Sequence, residues 1–337
     1  MKLQLPTSQL MRLGKKLQWG IAGLGRFSET AIIPNLQLIR KASVRSVYSS
    51  SALRAEEIAQ KFGISYHYSD FDQFLSSGIE ALYVGSTNAD HYSQVMAALK
   101  KGIPVLCEKP LALSSEQALE MVEQSKKYNT PLAINYVYRY HPLLAKAKEM
   151  IDSHKIGKLL SISANFNINF IPEDNFRFKR EISGGGVIRD LGTHMIDLFR
   201  YLGGDICEVK GYTESLIYQG NVEDFAVGVC KFTKSGYAQF NVAFCAKKAS
   251  NRIEIIGHNG SLILDGMVNN RFNSTKLTML IEGQPRLAFR KRANKLKLAL
   301  MDVTNSFLND KPIKVTGEDG LANLIIMEQF EKNASER

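Results

Sequence analysis

Along the first 135 residues, short apolar runs alternate with stretches in which apolar residues recur every three or four positions. Leu17–Ala22, Val44–Ser49, Ile79–Val84, Pro104–Cys107 and Pro131–Asn135 read as strands. Between them the spacing predicts one helix running to about Ile39 and another over ALRAEEIAQKF, closed by Gly63. Two more are expected at Tyr92–Lys101 and at Ser114–Tyr128, the last with Ser114 as its N-cap. Strands that alternate with helices in this way predict a doubly wound α/β layer, a parallel sheet covered on both faces.

After Asn135 the rhythm changes. A helix at His141–Asp152 precedes an alternating segment, Leu159–Phe170, and a glycine-rich helix follows at about Val187–Leu202. Glu208–Ile217, Phe225–Phe232, Tyr237–Phe244, Arg252–Gly257 and Ser261–Leu264 then read as consecutive strands separated by turns such as KSG and HNG. They predict an α+β domain on a large, mostly antiparallel open sheet, with one face on helices and the other toward solvent or a partner subunit. Two helices, about Ala293–Asn309 and Glu318–Glu331, close the chain. The expected organisation is a mobile arm over 1–14, a dinucleotide-type domain over 15–135 and a second domain over 136–337. The C-terminal helix of the second domain is free to pack back on the first.

Composition narrows the class. The chain has 337 residues, 45% apolar and 23% charged, which excludes a disordered or disulfide-scaffold protein. No apolar run approaches the roughly 18 residues of a membrane span. Pro6 and its polar neighbours interrupt what a signal peptide would need to be apolar. Cys107, Cys207, Cys230 and Cys245 form no C-x-x-C pair and no metal-site spacing, so they are read as reduced thiols of a cytoplasmic protein. The net charge is +10, and between Lys247 and Lys297 eleven Lys and Arg stand against three Asp and Glu, centred on RKRANKLK (290–297). Without an aromatic-interleaved or helix-turn-helix signature, this run is read as a solvated face and not as a nucleic-acid footprint.

Three motifs carry chemistry. The turn after the first strand, Gly20-Ile-Ala-Gly23-Leu24-Gly25-Arg26-Phe27-Ser28, has the glycines of a dinucleotide fingerprint, with Ser28 in place of the third. The second strand ends Tyr48-Ser49-Ser50-Ser51 with Arg54 one turn on. No carboxylate stands there for a ribose diol, whereas hydroxyls and a guanidinium can meet a 2′-phosphate, which favours NADP(H) over NAD(H). Ser51 also suits a helix cap. In Cys107-Glu108-Lys109-Pro110 a lysine stands at a strand's carboxyl end, where open α/β sheets place their ligands. In GGGVIRDLGTHMID (184–197), Asp190 and His194 are four apart, which on an α-helix sets both on one face. Such a pair suits proton transfer during alcohol–carbonyl interconversion, or a structural contact. Tyr136, Tyr138 and Tyr140 alternate, as pocket-lining or strand-packing residues would.

Taken in order with NYVYRYHP (135–142) and TGEDGLANL (316–324), these motifs resemble the Gfo/Idh/MocA family of sugar-type oxidoreductases. SSSALR (49–54) and STNADH (86–91) are most similar to its NADP-dependent members. The resemblance implies a Rossmann first domain and a reaction centre of Lys109, Asp190 and His194, with Lys109 on the reacting oxygen and His194 as general acid/base. Asp190 would hold substrate or orient the histidine. It also implies that Ser86, Thr87, Asn88 and His91 run beside the cofactor, that Glu108 faces the nicotinamide and that Arg177 lies near it. Relatives carry Trp-Arg where this chain has Phe176-Arg177. The implied partners are a sugar-like small molecule and a second copy of the chain, in a homodimer or homotetramer formed through the C-terminal sheet. A non-catalytic NADP-binding sensor of the same fold is the competing reading.

Overall fold

The computed structural model describes residues 14–173, 175–268 and 274–335; all but the last residue of the expected N-terminal arm lies outside them. Leu17–Ala22 (β1), Ala42–Tyr48 (β2), Tyr66–Tyr68 (β3), Ala81–Val84 (β4), Val105–Cys107 (β5) and Leu132–Ile134 (β6) form an all-parallel sheet in the order β3-β2-β1-β4-β5-β6. The order reverses between β1 and β4, which opens a crevice at their carboxyl ends. Residues of β4, β5 and β6 are buried throughout, as strands covered on both faces must be. The crossover helices Ala52–Phe62 and Ser115–Lys127 start where hydroxyls can take an orphan N–H: Ser51 accepts from Arg54 N and Ser114 from Gln117 N. Gly63 ends the first of them at φ 62.

Leu159–Asn167 (β7), Ile206–Glu214 (β8), Phe225–Phe232 (β9), Tyr237–Ala243 (β10), Arg252–Gly257 (β11), Gly260–Asp265 (β12), Thr275–Ile281 (β13) and Leu287–Lys291 (β14) form the second sheet. Its order is β14-β13-β12-β11-β7-β10-β9-β8. β7 pairs with β10 in parallel; the other described pairings are antiparallel. The inner face buries Ile162, Ala164, Phe240, Ile253, Ile255 and Leu262. The outer face leaves Tyr212, Val227, Val229, Tyr237, Ile256 and Leu280 exposed.

The C-terminal segment returns to the first sheet. The helix Lys295–Asn309 places Leu296, Leu300 and Val303 in one cluster with Trp19, Ile21 and Tyr83. Ile134 N donates to Val315 O at 3.1 Å, so the chain lines the β6 edge before the helix Gly317–Ser335 packs on Ser115–Lys127. The four cysteines are free thiols, and no helix among the described residues is long and apolar enough to cross a membrane.

Some elements depart from the pattern reading. β3, β13, β14 and the short helix Phe71–Leu75 are additional. β14 is exposed or half-exposed at every position, so it lacks the alternation that marks a strand with one buried face. The alternating tyrosines are not a strand: Val137–Tyr140 is a 3-10 turn between β6 and the helix Pro142–Asp152. The segment RKRANKLK is split among the end of β14, a connector and the start of a helix, and Lys295 within it is buried, which corrects the reading of the whole run as a solvated face.

Candidate active site

The glycine turn lies at the crevice. Gly23 has φ +83, and a Cβ there would fall 2.2 Å from Ser86 N, so the turn after β1 can touch the turn after β4 only through glycine. Gly25 is different: among the described residues no heavy atom beyond Gly25 and its chain neighbours lies within 4 Å of where its Cβ would stand. The fold does not need that space, and a side chain would fill it, as expected of a cradle kept clear for pyrophosphate. Ser28, in the third glycine's place, is buried and donates to Gly23 O at 2.6 Å, which pins the turn from beneath. The helix there opens with a π-turn, Ser28–Ile32. Leu24, Arg26 and Phe27 complete the turn, with Arg26 and Phe27 exposed.

At the end of β2, Ser51 caps the following helix, Ser49 Oγ accepts from Ser51 N at 3.2 Å, and Ser50 is exposed. Arg54 is held in place: its Nε donates to Leu24 O at 3.0 Å and its Nη2 to Glu29 Oε2 at 2.6 Å. Lys61 reaches the other Glu29 oxygen at 2.5 Å, and these bonds, that of Lys61 first, hold the Glu29 carboxyl down to about 2. Glu29, a carboxylate at this corner that sequence reasoning missed, lies on the first helix and not at the strand end. Hydroxyls and a guanidinium held at the end of β2 are compatible with an NAD(P)-type dinucleotide.

After β4, Thr87 Oγ1 donates to Asp90 at 2.6 Å and Ser86 Oγ to Gln94 at 2.8 Å, local contacts that shape the entry to the helix Asn88–Lys100. Asn88 Nδ2 donates to Ser183 O at 2.8 Å, which ties this helix to the glycine-rich loop of the second half. His91 Nδ1 lies 2.9 Å from Pro110 O, and burial keeps its ring below the usual histidine range, so this side chain braces the Lys109–Pro110 turn. Glu108 accepts from Tyr83 OH at 2.8 Å and Asn135 Nδ2 at 2.5 Å; burial raises its carboxyl despite these donors.

The candidate residues Lys109 and Asp190 meet where the halves join. Lys109 Nζ donates to Asp190 Oδ1 at 2.5 Å and to Asp190 O at 2.9 Å. Arg177 Nε donates to the other carboxylate oxygen at 3.0 Å. Lys109 and Asp190 side chains are 13% and 14% exposed, so the pair is largely withdrawn from bulk water. Burial works to raise the Asp190 carboxyl, but the Arg177 and Lys109 charges overcome it and hold the group well below the usual carboxylate range. The carboxylate turns to these two cations and makes no hydrogen bond to His194 among the described residues. The backbone accounts for this, because residues Ile188–Gly192 form a π-turn and Asp190 is not on the regular helix that carries His194, Thr193–Gly203. Phe176 and Phe170 rings lie 4.8 and 5.2 Å from the Arg177 guanidinium, so the residue at the Trp-Arg position packs on the arginine.

His194 stands among aromatic rings: Tyr138 at 5.1 Å, Phe166 at 5.9 Å and Tyr136 at 6.1 Å between centroids. Its Nδ1 is buried with no hydrogen-bond partner among the described residues. Burial first, then the Lys109 charge, keeps the imidazole well below its usual value, against the pull of Asp190. A neutral imidazole beside a lysine ammonium can accept a hydroxyl proton while the ammonium polarises the same oxygen. Sequence reasoning also missed Glu223, whose carboxylate accepts the N–H groups of Gly186 at 3.0 Å and Ile188 at 3.2 Å. It anchors the glycine loop that leads into Asp190, and a Cβ on Gly186 would lie 2.0 Å from Glu223 O.

Comparison with known proteins agrees with this fold. Residues 17–136 match the family model described as oxidoreductase family, NAD-binding Rossmann fold, and residues 144–263 match the GFO/IDH/MocA C-terminal domain. The chain is 29% identical to 1,5-anhydro-D-fructose reductase of Ensifer adhaerens, across 91% of this chain and 93% of that protein. It is 28% identical to myo-inositol 2-dehydrogenase of Thermotoga maritima, across 94% and 96%. Among solved structures, aldose-aldose oxidoreductase from Caulobacter crescentus has the same fold, with TM-score 0.88 and 22% identity over 96% of this chain and 98% of that one. Levoglucosan dehydrogenase in complex with NADH and levoglucosan superimposes with TM-score 0.86 at 19% identity, over 96% and 98%.

Proposed function

The chain belongs to the GFO/IDH/MocA family of oxidoreductases, and from that premise we propose that it is an NADP(H)-dependent enzyme acting on a sugar, a polyol or a related cyclic compound. The reaction is reversible hydride transfer between the nicotinamide and a carbinol or carbonyl carbon. The observation that carries this reading is the convergence of Lys109, Asp190 and His194 from separate chain segments. Held in the crevice by the residues named below, a nicotinamide would serve as hydride donor or acceptor. Lys109 donates to the reacting oxygen, and Asp190, paired with Lys109 and Arg177, keeps that ammonium aimed into the crevice. His194, neutral at rest, takes the hydroxyl proton in oxidation and returns it in reduction. Gly23, Leu24, Gly25, Arg26 and Phe27 would line the pyrophosphate, and Ser49, Ser50, Ser51 and Arg54 the 2′-phosphate. Ser86, Thr87, Asn88, His91, Glu108 and Arg177 would shape the nicotinamide side.

The names of the relatives support a carbohydrate substrate, and the exposed Tyr212, Val227, Val229, Tyr237, Ile256 and Leu280 of the second sheet's outer face support a homodimer or homotetramer. Light scattering should then give a mass at least twice 37.7 kDa. The test of function follows nicotinamide absorbance with NADP⁺ or NADPH over a panel of aldoses, polyols, anhydrosugars and their keto forms. At least one should turn over, and His194→Ala should slow it by about 10²–10⁴-fold. Tight NADPH binding without turnover of any member would instead favour a nucleotide sensor.

A further inference from the structure

The helix Lys295–Asn309 begins with a lysine that the fold takes out of water. Lys295 is 8% exposed; its Nζ donates to Met267 O at 2.8 Å and stands 4.9 Å from the centroid of the Tyr138 ring. Tyr138 in turn meets His194 edge-on, with centroids 5.1 Å apart and planes at 80°. Lys295, Tyr138 and His194 thus form a contact chain from the C-terminal helix, through the 3-10 turn, to the imidazole. Burying an ammonium costs several kcal/mol unless its surroundings compensate, and the Met267 carbonyl and the Tyr138 ring face both meet this one. A lysine that only capped the start of a helix would keep its charge in water.

The other groups around the imidazole define what this charge adds. Lys109 and Asp190 face it from the turn after β5 and from the π-turn, with Arg177 behind Asp190. The 3-10 turn brings Tyr136 and Tyr138, and β7 brings the uncharged Phe166. One turn along its own helix, Asp197 is occupied by Arg139 at 2.6 Å. Asp190 is shared between Lys109 and Arg177.

We propose that Lys295 is a positioning residue for His194: it pins Tyr138 against the imidazole and sets a second positive charge, after that of Lys109, toward the ring. The inference rests on the reading of His194 as the proton-transfer group. The Lys295 charge acts on His194 in the same sense as burial and Lys109, and it acts likewise on His141. The consequence is a resting imidazole without a proton, ready to accept one from a substrate hydroxyl.

The test needs neither substrate nor nucleotide. Histidine rings of the full-length protein are isotope-labelled, His194 is assigned through His194→Gln, and its ring signals are followed by NMR across pH 4–8. Lys295→Gln retains a donor for the Met267 carbonyl while removing the charge. It should raise the pH at which His194 protonates by about one unit, the shift of a unit charge acting over several ångströms in a partly screened interior. Lys295→Arg should restore the wild-type curve, and Asp190→Asn should move it the other way. A His194 curve in Lys295→Gln that overlays the wild type overturns the proposal. So does an equal shift in Lys295→Gln and Lys295→Arg, or loss of the near-UV dichroism of Lys295→Gln, each of which marks a purely structural lysine. Absence of turnover on every sugar would instead strike the functional reading and leave this measurement intact.

Discussion

Replacing Arg54 with alanine separates nucleotide specificity from nucleotide binding. A guanidinium has five N–H donors. Here Nε is engaged by Leu24 O and Nη2 by Glu29, with Glu57 3.5 Å from Nη1. These contacts leave two N–H groups for a 2′-phosphate, on a guanidinium already held in position. Hydrogen bonds to a charged partner contribute about 1.5–3 kcal/mol. The Arg54 side chain is 33% exposed and shares its charge with Glu29, so solvent screening places it at the lower end. A loss of about 1.5–2 kcal/mol corresponds to roughly ten- to thirty-fold in Kd. Calorimetric titration of NADPH and NADH should therefore show NADPH preferred by the wild type. Arg54→Ala should weaken NADPH by that factor and leave NADH within about two-fold. Glu29→Gln, which frees Nη2, should tighten NADPH in the wild-type background and have no effect in Arg54→Ala, as coupled neighbours require. Equal losses for both nucleotides, or a wild type that prefers NADH, would refute the assignment of Arg54 to the 2′-phosphate.

The remaining predictions concern the turn, the interior and pH. Gly25→Ala should leave the melting temperature within the small range of surface substitutions, about ±0.5 kcal/mol, yet weaken both nucleotides, because its Cβ enters space that only a ligand needs. Gly23→Ala should destabilise the fold itself, since its Cβ meets Ser86 N and its φ is positive; thermal melts beside NADPH titration distinguish the two, and the reverse pattern would sink the argument. Arg139→Ala leaves Asp197, 1% exposed, without the guanidinium that meets both its oxygens at 2.6 and 3.1 Å, and urea unfolding should show a loss of about 3–5 kcal/mol. His141 accepts the Leu143 N–H through Nδ1, and burial, then the Lys295 charge, lowers its pKa from 6.5 to about 4. Between those values the unfolded chain binds a proton that the native ring refuses, so its contribution to stability falls with pH by about 1.4 kcal/mol per unit, about 3 kcal/mol in all. His141→Asn, which keeps a capping acceptor without titrating, should lose that much less stability between pH 7 and pH 4, and parallel losses in the two proteins would refute this account.

The parts of this fold that could be read from the sequence are those in which local pattern and tertiary environment agree. β9 alternates buried and exposed positions along its length, and its bounds follow from that alternation alone. The Ser51 and Ser114 caps and the Gly63 stop were legible because capping is local chemistry. β14 was not legible, because an edge strand wet on both faces has no period to detect. The tyrosines of 136–140 alternate like a strand, yet Tyr136 bonds Thr193 at 2.6 Å and Tyr138 packs on His194, contacts made by a distant helix. Tertiary packing decided that turn.

The candidate site divides along the same line. Lys109, Asp190 and His194 can be picked out by motif, but their pairing cannot. A spacing of four suggests an Asp190–His194 pair only if the intervening backbone is α-helical, and the π-turn at Ile188–Gly192 removes that condition. A second π-turn at Ser28–Ile32 follows the other glycine motif, so both glycine-rich entries to the crevice use a widened turn that residue spacing does not reveal. Lys295 did leave a trace. It lies four and eight residues before Ala299 and Val303, both buried, so helical periodicity places it on the apolar face of its helix. Counted with its neighbours as one basic run, it disappears into a net charge; placed on its helix, it is the one lysine of RKRANKLK that turns inward. Charge becomes informative about a site only after the period of the element that carries it has been read.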